Sequence, residues 1–491
     1  MSASTRKNGL RSVILYLILG MAAACLCSLP TLLFPVAGKN WISSLQSVLL
    51  FHIAAAAGLF SLATLISGSV IVGFVITLFL MYGLSIASSI KFRILREPVY
   101  FTDIISLREL LRNPEFFIFS IPVLGWIGIA ALLSLIVFLG CYLVTASLHV
   151  RLYCIPVLSL VLAFYALYMR YARPHAPDWP RDIGQFGVTG MLVIYWRCWK
   201  LQPDPPRAEI SSGEPKVDVV LVIQCESFAD PSIFKGGNHD LVPNLTVARD
   251  NAYAYGNLLV SGFGAYTMRT EYGVLFGRDE AQLGFRRYDP FLTARQEASY
   301  ALPAKLKDSG YRTLFVHPHG LRFYGRDALM PAIGFDIVDD CSALQGNARA
   351  GKYVSDCDLA DTLLQKIDDA ASPVFIYAVT MENHGPWAGE PQEALASYLR
   401  HIGNSDRMLG RLVSGLEERQ QSSLIVFFGD HRPSLRGIAY SDMERFTPYV
   451  VLQSGRGESS KADLTPAELH HLIEGLAVKH RQGSEQSEAS T

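Results

Sequence analysis

Up to about residue 170 this chain is written in long apolar runs, and beyond that point the runs shrink to the length of single strands. A run of about 20 apolar residues crosses a bilayer as a helix, whereas one of 4–8 residues reads as a buried strand. The break therefore divides the chain into two folding problems. Hydropathy predicts five spans, near residues 12–36, 42–65, 69–89, 117–146 and 149–170. Half of the 491 residues are hydrophobic and the mean hydropathy is +0.24, too apolar for an ordinary soluble protein. A net charge of −1 gives no electrostatic case for nucleic acid as a partner.

Arg6, Lys7 and Arg11 precede the first span and predict a cytoplasmic N-terminus. Ala22-Ala23-Ala24 imitates a signal-peptidase site, but more apolar spans follow at once, so the first span is expected to remain as an anchor. Five spans would then place the rest of the chain outside the cytoplasm, in the periplasm of a cell whose inner membrane holds the anchor. Lys91, Arg93, Arg96, Arg108 and Arg112 would fall on the outer side, against the positive-inside pattern, with Glu97, Asp103, Glu109 and Glu115 nearly offsetting their charge. Phe101 to Leu111 has a helical apolar period that suits either the membrane interface or a solvated connecting helix. Val188 to Trp199 is only about a dozen residues and contains Arg197, which favours an interfacial helix over a sixth span. Gln202-Pro203-Asp204-Pro205-Pro206 cannot continue a helix and reads as a stiff linker. The expected organisation is a membrane domain over 1–175, interfacial helix and linker over 176–215, a soluble domain over 216–480 and a disordered polar tail over 481–491.

The eight cysteines lack metal-ligand spacing. Cys25, Cys27, Cys141 and Cys154 fall in apolar segments as small hydrophobes. Cys341 and Cys357 suit either a disulfide in an oxidising compartment or two separate buried thiols.

In the soluble half, Val217 to Ile223, Thr313 to Val316, Val374 to Val379, Leu424 to Phe428 and Tyr449 to Leu452 read as strands. Leu302 to Ser309, Leu359 to Ala370 and Tyr398 to Leu416 read as helices. Such alternation predicts an α/β domain with a mostly parallel sheet, whose ligands bind beyond the carboxyl ends of the strands. Glu226, His317, the stretch Thr380 to His384, and Asp430-His431 all stand at such ends. Two carboxylates and an imidazole suit one divalent ion, with manganese favoured and zinc or magnesium as alternatives. Gly262-Phe263-Gly264-Ala265 leads into a helix beginning near Thr267, whose N-terminus favours an anionic phosphate. Glu271 follows four residues later on the same face, placed to orient the site or bind an acceptor. Ser261 and Thr270 offer rival hydroxyls, and a threonine in this position is commonly just a helix cap.

Five motifs in order, Glu226-Ser227-Phe228, Thr267-x-x-x-Glu271-Tyr272, Arg326-Asp327 before Gly334-Phe335-Asp336, Asn383-His384-x-Pro386-Trp387 and Gly429-Asp430-His431, resemble the lipoteichoic acid synthase and phosphoglycerol transferase branch of the alkaline-phosphatase/sulfatase superfamily. The resemblance implies that Thr267 is the nucleophile that takes a phospho-group, and that it binds the metal together with Glu226, Asp430 and His431. It also implies that Arg326 and His384 hold the phosphate and the leaving oxygen. His317 and His319 would support them or serve as structural histidines. Tyr324-Gly325 stands where the family often has Trp-Asn, so the headgroup is left open. The sulfatase pattern of Cys or Ser followed by x-Pro-x-Arg is absent, which disfavours sulfate-ester hydrolysis. The expected partners are a phospholipid donor, phosphatidylglycerol first, and a hydroxyl acceptor such as a glycan. Phosphoethanolamine transfer and a non-catalytic part in polysaccharide export or modification are the alternatives.

Overall fold

A computed structural model describes residues 3–33, 41–105, 134, 148–171, 176–209, 213–234, 239–345, 353–370, 373–387, 389–435, 437–438, 440, 445–455 and 459–480. Two compact units emerge, dividing at Gln202 and Pro203.

The first unit is helical. Among the described residues three helices are long and apolar enough to cross a membrane, with spans Ser47–Ser67, Val70–Leu95 and Leu148–Arg170. The N-terminal helix Ala3–Leu33 carries a shorter apolar stretch, Val13–Ser28. The span expected at 117–146 lies outside the described residues. Ser69 caps the Val70 helix by accepting the Val72 N–H, which separates it sharply from the helix before it. Val188 to Trp199 belongs to a longer element than its apolar run suggests, Trp179–Leu201, which is kinked at Gly187 with φ 65°, just before that run begins. Only glycine takes that conformation at low cost, and here it also lets the backbone approach His52. The helical period after Phe101 appears as Phe101–Ile105, and the remainder of that stretch lies outside the described residues. Lys91 closes an ion pair with Asp103 across this turn.

The second unit is built on an eight-stranded sheet. Its strands in chain order are β2 (Val219–Cys225), β3 (Ala254–Leu259), β4 (Arg312–Val316), β5 (Ile337–Asp339), β6 (Val374–Val379), β7 (Ser423–Gly429), β8 (Phe446–Gln453) and β9 (Ser460–Lys461), while β1 (Gly213–Pro215) and β10 (Val478–His480) form a separate antiparallel pair. The spatial order is β5-β4-β6-β2-β7-β8-β3-β9. The run from β5 to β7 is parallel and only the β7–β8–β3 pairings are antiparallel. The central strands are buried at every position, as apolar runs covered on both faces must be. Val219, Leu221 and Ile223 point to one face, where they pack with the helices Pro243–Asp250, Asp356–Asp368 and Pro391–Arg419. The Thr267–Phe276 helix packs with Pro466–Ala477. Cys341 and Cys357 are both free thiols. The segment expected to be a disordered tail lies outside the described residues.

Candidate active site

Register brings the site together before any side chain is considered. β2 pairs in parallel with β6 and β7, Gln224 opposite Val379 and Cys225 opposite Gly429. The next residues, Glu226, Thr380 and Asp430, therefore leave three adjacent strands at one edge. Two bonds lock the arrangement: the Glu226 N–H donates to Thr380 Oγ1 at 3.0 Å, and the Ser227 N–H donates to Asp430 Oδ1 at 2.8 Å.

Glu226, Asp430 and His431 place ligand atoms within 4.8 Å of one another, all in buried residues. His431 Nε2 lies 3.5 Å from Glu226 Oε1 and 3.6 Å from Asp430 Oδ2. Its Nδ1 donates to the Arg432 carbonyl at 3.1 Å, which reserves Nε2 for the cluster. Asp430 Oδ1 accepts two backbone N–H groups, from Ser227 and His431, while buried Oδ2 completes no hydrogen bond. A buried carboxylate oxygen left in that condition is costly unless a cation answers it. The donor set fits a divalent ion. Burial pushes the Asp430 carboxyl up to about 7, with the Glu226 carboxylate adding to it against the pull of His431, the Ser227 N–H and the Thr267 hydroxyl. Burial alone would lower His431, but the Asp430 and Glu226 carboxylates outweigh it and raise the imidazole.

Thr267 is 8% exposed and stands at the first position of its helix, not at the cap. The cap is Tyr266, held in the left-handed region at φ 76° with no side-chain bond to the helix. The loop before it is fastened to the segment after β7, where the Gly264 N–H donates to Arg432 O at 2.9 Å. Gly264 has φ 69°, and a Cβ there would meet Ser434 Cβ at 2.4 Å, so only glycine permits the approach. The Thr267 hydroxyl is one of the groups that hold the Asp430 carboxyl down. Thr270, the rival hydroxyl, is fully buried and donates to Asp430 O at 2.8 Å, a bond that pins the helix to the end of β7. Of six non-glycine residues with positive φ among the described residues, three (Ser227, Tyr266 and Tyr324) flank this site, so backbone strain is concentrated where the chemistry would be.

Arg326 and Glu271 meet across 55 residues. Arg326 Nε donates to Glu271 Oε1 at 3.1 Å and Nη2 donates to Oε2 at 2.5 Å, with the two side chains 2% and 0% exposed. Arg326 Nη1 reaches His317 Nε2 at 3.3 Å. His317 Nδ1 donates to Val379 O at 3.0 Å, and burial, then Arg326, push this imidazole well below its usual range, so it accepts as a neutral ring. Three of the five guanidinium N–H groups are thus engaged by protein, leaving two for an anion. Glu271 accordingly holds Arg326 rather than standing open as an acceptor contact. Glu271→Ala strands a buried guanidinium and is expected to cost about 3–5 kcal/mol, read as a lower midpoint of thermal unfolding.

His384 is half-buried, and its Nδ1 donates to the Gly385 carbonyl at 2.6 Å. A proton handed to a leaving oxygen would therefore travel through Nε2. His319, Tyr353 and His384 form a continuous run of rings at about 6 Å spacing, 6.0 and 5.8 Å between centroids. Tyr324 also belongs to this neighbourhood: burial raises its phenol, Arg326 opposes, and the carboxylates of Glu226, Asp289 and Asp430 add to the rise. Sequence reasoning missed the supporting polar groups. Ser227 Oγ donates to Glu226 Oε1 at 2.8 Å, and Asn383 Nδ2 donates to the Glu226 and Ser227 carbonyls. Both stand in motifs around Glu226 and His384, but the sequence assigns neither a role.

The family model for sulfatases matches residues 218–475. The capsular polysaccharide biosynthesis protein RkpI of Rhizobium meliloti (strain 1021) is 28% identical over 408 residues, covering 76% of this chain and 75% of that protein. Phosphoglycerol transferase I of Xanthomonas campestris pv. campestris is 29% identical over 146 residues, which span 26% of this chain and 21% of that longer protein. Among solved structures, the integral membrane lipooligosaccharide phosphoethanolamine transferase A of Neisseria meningitidis is similar with a TM-score of 0.57, covering 94% of this chain and 95% of that one at 12% identity. That likeness is one of fold and includes the helical N-terminal part. Because the family match fills just over half of the chain, the protein belongs to the sulfatase family.

Proposed function

We propose that this protein is a membrane-anchored, metal-dependent transferase that moves a phosphoglycerol headgroup from phosphatidylglycerol to a hydroxyl on a glycan. The observation that carries the reading is the convergence of Glu226, Asp430 and His431, with the helix that begins at Thr267 pinned to Asp430 O through Thr270. Glu226, Asp430 and His431 would hold the ion, manganese favoured by its mainly oxygen ligands, which when bound would supply positive charge beside the threonine hydroxyl and the phosphoryl group. Thr267 releases its proton to solvent as its Oγ attacks phosphorus, the bond from phosphorus to the diacylglycerol oxygen breaks, and His384 passes a proton to that oxygen. The two remaining Arg326 N–H groups hold the phosphoryl oxygens, and Glu271 keeps the guanidinium in place. An acceptor hydroxyl then attacks phosphorus and loses its proton to His384, the bond from phosphorus to Thr267 Oγ breaks, and Thr267 recovers a proton from solvent.

The names of the relatives support the two ends of this reaction: one a phosphoglycerol transferase, one a capsular polysaccharide biosynthesis protein. Tyr324-Gly325 in place of Trp-Asn, together with a fold neighbour named for phosphoethanolamine transfer, keeps that headgroup as the second reading. Transfer of radiolabel from headgroup-labelled phosphatidylglycerol and phosphatidylethanolamine separates them. Glycerol label appearing in the polysaccharide fraction supports the first reading, and ethanolamine label alone replaces it with the second. The buried, convergent ligand set argues against a non-catalytic protein, which has no reason to keep an orphaned carboxylate oxygen.

The same proposal takes the membrane part as five spans, with 117–146 the fourth, and the sulfatase-like domain as periplasmic. A C-terminal alkaline phosphatase fusion is expected to be active and a reporter that works only in the cytoplasm silent. The reverse result would change the span count by one.

A further inference from the structure

The chain enters its sulfatase-like domain on a fastened segment rather than a free one. From Pro203 to Ala208 it runs along the 3₁₀ turns Gly284–Tyr288 and Ala294–Tyr300. Arg286 Nη2 donates to Pro203 O at 3.3 Å and to Asp204 Oδ1 at 2.6 Å. The Tyr300 hydroxyl donates to Pro206 O at 2.8 Å, and the Ala208 N–H donates to Ser299 Oγ at 3.0 Å. Three of these six residues are prolines, whose fixed φ leaves little freedom to lose on docking.

Arg286 anchors the segment from inside the domain. Its side chain is 5% exposed, and Nη1 donates to Glu297 Oε1 at 3.3 Å. Buried Glu297 also accepts the Tyr272 hydroxyl at 2.5 Å and pairs with Arg278, whose guanidinium lies 5.1 Å from the Tyr300 ring centroid. Tyr272 follows Glu271 on the helix that begins at Thr267. An isolated pair with exposed Asp204 would count for little, but this one is tied to a buried network that reaches the nucleophile's own helix.

The helix Trp179–Leu201 ends just before this segment, with Gln202 as its cap. Docked, residues 203–208 add no slack to the tether; released, they would add up to about 20 Å of extended chain. We infer that Asp204 and Tyr300 are positioning residues, which keep this segment docked and so hold the tether short for a donor lying in the same bilayer as the anchor. The inference rests on the lipid-headgroup transfer proposed above. A longer tether dilutes the site at the membrane surface, so the loss falls on a bilayer donor and spares one dissolved in water.

The test uses the full-length protein in lipid nanodiscs with manganese and the polysaccharide fraction as acceptor. Release of diacylglycerol is followed with phosphatidylglycerol in the disc. Release of p-nitrophenolate is followed with the p-nitrophenyl ester of glycerol phosphate in solution and phosphatidylcholine alone in the disc. Arg286 is left intact, because losing a buried guanidinium would disturb the fold. The double variant Asp204→Ala, Tyr300→Phe is expected to lower diacylglycerol release about tenfold while p-nitrophenolate release stays within about twofold of the parent. Amide exchange at Ala208, whose partner Ser299 the variant keeps, is expected to quicken about tenfold or more. Asp204→Glu keeps a carboxylate and is expected to match the parent with both donors. Equal losses with the two donors, or undiminished bilayer transfer in a double variant whose Ala208 exchange has quickened, would overturn the inference and leave the transfer reaction standing. So would an Ala208 amide that exchanges as fast in the parent as in the variant. A parent protein that releases product from neither donor would instead retire the transfer reaction, and the positioning role with it.

Discussion

Thr267→Ala is expected to lower headgroup transfer by about 10³-fold or more and to remove any covalent adduct. The hydroxyl stands at the helix start, beside Asp430, behind a Tyr266 cap held in the left-handed region. Thr270, the rival hydroxyl on the same helix, is not placed to replace it, since it is buried and donates to Asp430 O. Thr267→Ser keeps an oxygen in the same place and is expected to retain measurable transfer. The metal content of Thr267→Ala should fall far less than its activity, because Glu226, Asp430 and His431 all remain. Equal loss of metal and activity would instead make Thr267 chiefly a ligand. Transfer rates and metal analysis on the same preparations separate the two outcomes.

Asp430→Asn is expected to weaken metal binding by more than about 100-fold, since even supporting contacts to metal ligands cost 10–100-fold, and to take activity with it. The substitution keeps an oxygen for the Ser227 and His431 N–H groups but puts a neutral amide where Oδ2 completes no bond. In metal-stripped protein the same change removes a buried acid that sits beside Glu226, so unfolding there should be no easier than in the parent. Because burial pushes Asp430 up to about 7, an incoming ion must displace a proton, and metal affinity is expected to rise with pH through that value. Full metal occupancy in Asp430→Asn at pH 7.5, measured by elemental analysis, would remove Asp430 from the ligand set.

The parts of this molecule legible in its sequence are those governed by local pattern. β2, β6 and β7 are unbroken apolar runs, and the residues that follow them are where a parallel sheet presents ligands. That is why Glu226 and Asp430-His431 could be read as one cluster although 204 residues separate Glu226 from Asp430. β3, Ala254–Leu259, escaped notice because it is half-exposed and interrupted by Gly256 and Asn257. The long helix begins at Pro391, ahead of its apolar period at Tyr398, because its first turns are largely exposed and are started by a proline and a capping box. Arg326 shows the limit most clearly. A motif marks it as a phosphate contact, but nothing local announces that Glu271 and His317 hold three of its N–H groups, since one partner comes from the Thr267–Phe276 helix and the other from the end of β4. The same holds for Ser227, Thr380 and Asn383, whose bonds join strand ends remote in the chain.

The covalent route through Thr267 is tested most directly by mass spectrometry of the full-length protein after incubation with phosphatidylglycerol and manganese, without acceptor. A glycerophosphoryl adduct confined to the peptide containing Thr267, and absent from Thr267→Ala, is the expected result. Continued turnover with no adduct on any residue, or an adduct on Ser261 or Thr270 that persists in Thr267→Ala, would contradict it.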